Sequence, residues 1–291
     1  MHGIILVDKE EGYTSRDVVN CIGKKFKTKK VGHTGTLDPL ATGVLAVCVG
    51  RATKLVDLLQ STTKEYIAGG TLGILTDSLD TEGTLLKEDN VNISEEELKN
   101  TLNSMIGKYY QEVPIYSAVK VEGRKLYEYA RNNEEVVLPK REVEIKEIEL
   151  LEYEYINNKV NFKIRVIVSK GTYIRSLIND IGIKLNTNGI MTSLRRTIQG
   201  DFKIEDAYKL DDINNDNYKV LSISEVLKDI PFITVNNDLE NDLNNGKILL
   251  DEYGYDKVWF KTLDNKEIAI YQKEGKYLKP WKMLFLNKES D

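Results

Sequence analysis

Residues 31–43 read Val31-Gly32-His33-Thr34-Gly35-Thr36-Leu37-Asp38-Pro39-Leu40-Ala41-Thr42-Gly43, and no other stretch of the chain says as much about what it builds. Gly32, Gly35 and Gly43 let a loop turn sharply and bring its backbone close to a ligand. Pro39 fixes its own φ and biases Asp38 toward an extended conformation, so one carboxylate stands on a stiff loop. Three readings fit these residues taken alone. The loop is a phosphate cradle, although the spacing is not Gly-x-x-x-x-Gly-Lys-Ser/Thr and no lysine sits where a phosphate needs one. It is plain turn chemistry, with Asp38 bonded to its own backbone. Or Asp38 is a nucleophile or a base.

Working outward, the apolar run 4–7 predicts a strand, and Thr14 or Ser15 caps a helix carrying Val18, Val19 and Ile22 on one face. Beyond the loop come a strand over 44–49, a helix with Leu55, Leu58 and Leu59, and a strand over 65–74. Ser94-Glu95-Glu96-Glu97 is a capping box opening a helix through Leu98, Leu102 and Met105. Tyr127 and Tyr129 lie in a stretch that reads as helical and exposed. Residues 143–155 and 160–168 alternate, with Val160, Phe162, Ile164, Val166 and Val168 facing one way, the period of a half-buried strand. After Gly171, Tyr173 to Leu185 reads as a helix through Ile174, Leu177, Ile178 and Ile181. Residues 205–219, acidic and Asn-rich, read as a linker, and short strands at 232–235, 258–261 and 268–271 predict a small β-rich module. Strands and helices mix without regular βαβ alternation, so the class is α+β.

Composition sets the outer limits. With 291 residues, 41% hydrophobic and 30% charged, the chain builds a sizeable core, which excludes collagen, coiled coil and wholesale disorder. No apolar run approaches the roughly 18 to 20 residues a bilayer needs, and the N-terminus reaches Asp8 too soon for a signal peptide. No membrane partner and a cytoplasmic location are expected. Cys21 and Cys48 cannot build a disulfide framework and read as small buried thiols. Two histidines without close Cys/His spacing argue against zinc. The net charge of −5 is unevenly spread: residues 16–54 and 163–203 each hold eight Lys/Arg against two acids. Two basic stretches in an acidic protein predict a positive face that follows a polyanion.

On these residues the chain resembles the TruB family of tRNA pseudouridine synthases. Gly32 to Gly43 is similar to the family's catalytic-loop signature, and Asp8-Lys9 followed by Gly12-Tyr13-Thr14-Ser15 resembles its N-terminal motif. Lys64-Glu65-Tyr66 resembles its Lys-x-Tyr strand. Pro114-Ile115-Tyr116-Ser117-Ala118-Val119-Lys120 and Lys125-Leu126-Tyr127-Glu128-Tyr129-Ala130-Arg131 resemble its RNA-gripping insertion. Lys170-Gly171-Thr172-Tyr173-Ile174-Arg175 and Leu194-Arg195-Arg196-Thr197 complete the set in the family's order. Glu10 departs from the pattern, standing where members usually carry proline.

The resemblance implies an α+β fold with a mixed, largely antiparallel sheet in a pseudouridine synthase catalytic domain over residues 1–228. The RNA-gripping insertion then falls at about 108–140, and a small PUA-like β module over 229–291. It implies an isomerase that flips and converts the T-loop uridine at tRNA position 55; a second reading, from the binding class, makes the chain mainly a tRNA-folding module that opens and reanneals the T-arm. The T-arm stem-loop is the implied partner, the protein is expected to be a monomer, and neither metal nor organic cofactor is called for. Asp38 is implied as the essential catalytic group, nucleophile or base at the ribose, and Arg175 as the cation paired with it. Physics asks for such a cation, because burial in a dry site otherwise raises a carboxylate's pKa and neutralises it, and a guanidinium fork suits a carboxylate. Tyr66 is implied as the ring on the flipped base and the proton-transfer group at C5. Tyr173 and Leu194 line the same pocket, and His33 is the wedge in the space the base leaves. Lys9, Lys120 and the run Lys24 to Lys30 would meet phosphates, and Tyr116 would touch substrate from the insertion.

Overall fold

The alternating and apolar runs pair into sheets in the computed structural model, which describes residues 1–60 and 62–284. In chain order come β1 (Gly3–Lys9), α1 (Ser15–Lys25), β2 (Val31–His33), β3 (Thr42–Val49), α2 (Val56–Gln60) and β4 (Lys64–Leu72), then a hairpin of β5 (Ile74–Thr76) and β6 (Leu85–Glu88). Next are α3 (Glu95–Ser104), β7 (Gly107–Glu112), the short hairpin β8 (Lys120–Val121) and β9 (Arg124–Lys125), α4 (Leu126–Arg131) and the long pair β10 (Lys140–Ile156) and β11 (Lys159–Val168). The chain continues through α5 (Ile174–Lys184), β12 (Gly189–Gln199), β13 (Phe202–Lys203), α6 (Leu210–Asn214) and α7 (Ile223–Val226). A second sheet follows: β14 (Phe232–Val235), α8 (Asn237–Asn244), β15 (Leu249–Leu250), β16 (Lys257–Thr262), β17 (Glu267–Glu274) and β18 (Tyr277–Met283).

The main sheet has the order β1-β3-β12-β4-β11-β10-β7. Its pairings are antiparallel except where β12 meets β3, with Arg195 and Arg196 opposite Thr42 and Gly43. This is the mixed, largely antiparallel α+β architecture that the sequence predicts. Side-chain alternation decides which face each residue covers. Ile5, Val7, Leu45 and Val47 enter one core with Ala68, Leu72, Ile164, Val166, Leu177 and Ile178. Their neighbours Ile4, Leu6, Val44, Ala46 and Cys48 enter a second core with Leu55, Phe202, Trp259 and Ile270, so β1 and β3 are buried on both faces and read as continuous apolar runs. Each such side chain contributes roughly 1.5 to 3 kcal/mol by leaving water. On β11 the same alternation buries Val160, Phe162, Ile164, Val166 and Val168 on one side only.

Four expectations change. Val31–His33 is a short strand on β3 rather than loop. Residues 205–219 are not a linker: Leu210 and Ile213 are core residues, and Tyr208 exchanges backbone bonds with Leu6 and Asp8 of β1. Tyr129 is buried, its ring under the Arg124 guanidinium and its hydroxyl donating to the Val121 carbonyl. The strands β7 and β10 belong to the main sheet, so what leaves the sheet is residues 113–139. Residues 285–291 of the expected C-terminal module lie outside the described residues. Among the described residues no helix is long and apolar enough to cross a membrane.

Candidate active site

Asp38 is presented by a loop whose backbone is held nearly residue by residue. The Ser15 hydroxyl, at the start of α1, accepts from Leu37 N–H at 2.8 Å and donates to the Leu37 carbonyl at 3.0 Å. Gln199 Nε2 donates to Thr34 O and Thr34 Oγ1 at 2.7 Å each, and Arg196 donates to the carbonyls of Gly35 and Val44. Leu37 itself is buried in the core beside the carboxylate it precedes. Gly43, at φ +106°, closes the loop onto β12: a Cβ there would stand 2.2 Å from the Arg196 carbonyl oxygen, so only glycine fits.

Lys9 is where the structure departs most from expectation. It is 0% exposed, and its ammonium donates to the carbonyls of Ala41 at 2.6 Å, Glu10 at 3.0 Å and Pro39 at 3.2 Å. A group so enclosed meets no phosphate; it ties β1 to the loop on the C-terminal side of Asp38. Burial pulls its pKa down to about 8, against the opposing pull of the Asp38 charge. Glu10, exposed, reaches outward to Lys209.

Arg175 sits in the first turn of α5, 6% exposed, and its guanidinium has four neighbours. Nε lies 3.0 Å from Asp38 Oδ2, Nη1 donates to Ser78 O at 2.9 Å and lies 3.6 Å from Asp80 Oδ2, and Nη2 donates to Tyr116 O at 3.0 Å. The cation that physics asks for beside Asp38 is therefore present, and a buried second carboxylate braces it from behind. Asp80, in the turn between β5 and β6, accepts from the Ser78 hydroxyl and from Glu82 N–H. Nothing in the local sequence singled out Asp80; only the pairing of that hairpin with the start of α5 reveals it. The Asp38 side chain is 37% exposed, so its carboxylate is not held dry. A cavity of about 550 Å³ bounded by Leu58, Leu59, Phe202, Lys219 and Ile230 does not include it.

The other expected residues distribute as follows. Tyr173 directly precedes α5; burial raises its hydroxyl pKa, with the Arg175 and Asp38 charges pulling in opposite directions. Tyr66 on β4 is buried opposite Arg196 of β12, and Leu194 lies two residues along β12 in the same core cluster. Tyr116 lies at Arg175 through its carbonyl, and its hydroxyl donates to Asp77 at 3.0 Å. His33 is half-buried on β2, its Nδ1 accepting from Gly35 N–H at 3.3 Å; burial, and then the Arg196 charge, lower its pKa and favour the neutral ring. Lys120 is exposed on the β8–β9 hairpin, Lys24 is exposed in the last turn of α1 and Lys27, Lys29 and Lys30 after it, whereas Lys25 is already paired with Asp216. Among the described residues no three His, Cys, Asp or Glu side chains are gathered in a way that could hold a metal ion.

The arrangement offers one anchored, accessible carboxylate with its charge balanced, a buried tyrosine on β4 of the main sheet, and exposed lysines on the β8–β9 hairpin and around the end of α1. Comparison with known proteins fits that chemistry. The model of the TruB family pseudouridylate synthase N-terminal domain matches residues 23–174, and that of the tRNA pseudouridylate synthase B C-terminal domain matches residues 175–230. The chain is 40% identical to a tRNA pseudouridine synthase B of Lactobacillus acidophilus over 99% of both chains. It is 42% identical to one of Clostridium tetani, over 94% of this chain and 93% of the other. Among solved structures, a chain of a Cbf5-Nop10-Gar1 complex superposes with a TM-score of 0.70 at 25% identity, over 98% of this chain and 85% of the other. A chain of an H/ACA RNP bound to a substrate RNA containing 2'-deoxyuridine gives 0.69 at 25% identity, over 97% and 85%.

Proposed function

We propose, on the premise that this chain belongs to the TruB family of pseudouridylate synthases, that it converts the T-loop uridine at tRNA position 55 to pseudouridine with Asp38 as the essential group. Family membership makes it a tRNA pseudouridine synthase, an isomerase; the position, the aspartate and the flipping of the base are what is proposed. The observation that carries it is the Asp38–Arg175 pair: an accessible carboxylate on an anchored loop, 3.0 Å from a buried guanidinium.

In this reading the N1–C1' glycosidic bond breaks, the base turns, and C5–C1' forms; the hydrogen lost from C5 is matched by one gained at N1. Asp38 acts as nucleophile at the substrate or as base at the ribose. Arg175 balances its negative charge while an incoming nucleotide covers it, which explains why a carboxylate open to solvent in the free enzyme still serves a water-excluding reaction. Extruding a stacked uridine costs a few kcal/mol, and stacking on aromatic and apolar surfaces returns about 1 to 3 kcal/mol per base. Tyr66 supplies the ring and the proton transfer at C5, Tyr173 and Leu194 the remaining walls, and neutral His33 the wedge. Lys120, Tyr116 and the exposed lysines after α1 grip the T-arm backbone, whereas Lys9 works from inside by fixing the loop. Residues 1–228 act as the catalytic unit and 229–291 as a PUA-like accessory.

The test is release of tritium from C5-labelled uridine in tRNA transcripts that carry uridine or cytidine at position 55. Release from the first alone supports the assignment; equal release from both overturns the position.

A further inference from the structure

Resting on the reading that Arg175 serves the reaction, we infer that Gln111 is a positioning residue: strand β7 fixes where helix α5 begins, and through it where the Arg175 guanidinium stands. Gln111 is 1% exposed on the terminal strand of the main sheet, a position where a primary amide is costly to bury unless its bonds are met. Two of the three are met on one residue, Tyr173. Its Oε1 accepts from Tyr173 N–H at 2.8 Å, and its Nε2 donates to the Tyr173 carbonyl at 3.1 Å and to the Tyr109 hydroxyl at 2.7 Å.

Tyr173 is the residue that starts α5, and no side chain of the helix caps it. Elsewhere the fold solves this problem locally: in α1 and α3 a reciprocal box, Thr14 with Asp17 and Ser94 with Glu97, satisfies the backbone at the helix start. In α5 the equivalent third position is Ser176, and its hydroxyl donates instead to the Glu112 carbonyl of β7 at 2.9 Å. One turn further, Asp180 accepts from the Tyr109 hydroxyl at 3.1 Å. The same stretch of chain continues to Tyr116, whose carbonyl accepts from Arg175. Residues 111–116 thus hold the helix start at Tyr173, Arg175 and Ser176, while Tyr109 ties Gln111 to the next turn at Asp180. Moving that start by one residue turns Arg175 by about 100° around the helix axis, away from Asp38. Because residues 113–139 form the insertion, this clamp also joins the insertion to the catalytic pair.

The experiment compares single-turnover rate, tRNA Kd and melting temperature for the parent, Gln111→Met, Gln111→Glu and Tyr109→Phe. Gln111→Met keeps the volume and loses all three bonds; its rate on saturating tRNA is expected to fall about 10- to 100-fold with Kd held within about threefold. Tyr109→Phe leaves both bonds to Tyr173 and is expected to stay within about threefold of the parent in rate. Gln111→Glu reproduces the paired bonds only while its carboxyl is protonated, and burial at this 1% exposed position raises a carboxyl's pKa above its usual range, so its rate relative to the parent is expected to drop about tenfold from pH 6 to pH 8.5. A parental rate in Gln111→Met, or a Gln111→Glu ratio independent of pH, overturns the inference even if Gln111→Met folds poorly. A parent that releases no tritium from position 55 instead overturns the assignment on which it rests.

Discussion

Arg175 Nε lies 3.0 Å from Asp38 Oδ2 while Nη1 of the same guanidinium, 3.6 Å from Asp80, bonds to the Ser78 carbonyl. One planar fork therefore holds an exposed carboxylate from a buried base, something a single ammonium cannot reproduce. Arg175→Lys keeps the charge and loses the fork. Its single-turnover rate is expected to fall about 100-fold, with tRNA Kd, read by filter binding, changed by no more than about threefold. A rate near the parent's shows that charge alone suffices and that the geometry is dispensable.

Lys9 couples the loop to pH. Its three carbonyl bonds need three N–H groups, and a neutral amine has two. With its pKa brought down to about 8, the rate is expected to decline as pH rises through that value. Stability moves the other way: the folded chain releases this proton before the unfolded one, so the contribution of this group to stability rises between about 8 and 10.5. Rate–pH profiles of the parent and Lys9→Met check this. The limb near pH 8 should vanish in the variant, whose rate at pH 7 is expected to be about tenfold lower; a limb that persists assigns it to another group.

Asp180 gives a prediction on stability alone. Burial, reinforced by Glu112 and opposed by the Tyr109 hydroxyl, Gln111 and Lys140, raises its pKa to about 6. The folded state thus holds this proton above the unfolded value of 3.8, and the group's contribution to stability is lost as pH rises from about 4 to 6. Asp180→Asn keeps an oxygen for Tyr109 and removes the buried charge. Urea unfolding at pH 7.5 should show a gain of about 1 to 2 kcal/mol, shrinking toward pH 4; a loss at pH 7.5 contradicts the sign.

What the sequence made legible is local. The alternation of Val160 to Val168 and the box at Ser94 are short-range signals, and each produced the element it indicates; in the Gly–Asp–Pro stretch the turn chemistry gave the loop that presents Asp38, but not the short strand at Val31–His33. What it concealed depends on partners far along the chain. Gln111 carries no local signal until Tyr173, 62 residues on, comes to it, and Ser78 meets Arg175 across 97. Lys9 resembled a phosphate ligand because nothing near it shows that Pro39 and Ala41 fold back over its ammonium. Leu210 and Ile213 were masked by the Asp and Asn around them, although a single apolar pair on the inner side of a short helix is enough to dock it. The open edge of Asp38 likewise depends on tertiary packing, which composition does not encode.

The most direct measurement is C5 tritium release by Asp38→Asn under single turnover, alongside its affinity for the same tRNA. The amide keeps the shape of the side chain and a hydrogen-bonding oxygen for Arg175, and loses the negative charge. The expected result is a rate at least about 1,000-fold below the parent's, with Kd within about threefold of it. Turnover within about tenfold of the parent's contradicts the central claim that the Asp38 carboxylate carries the reaction.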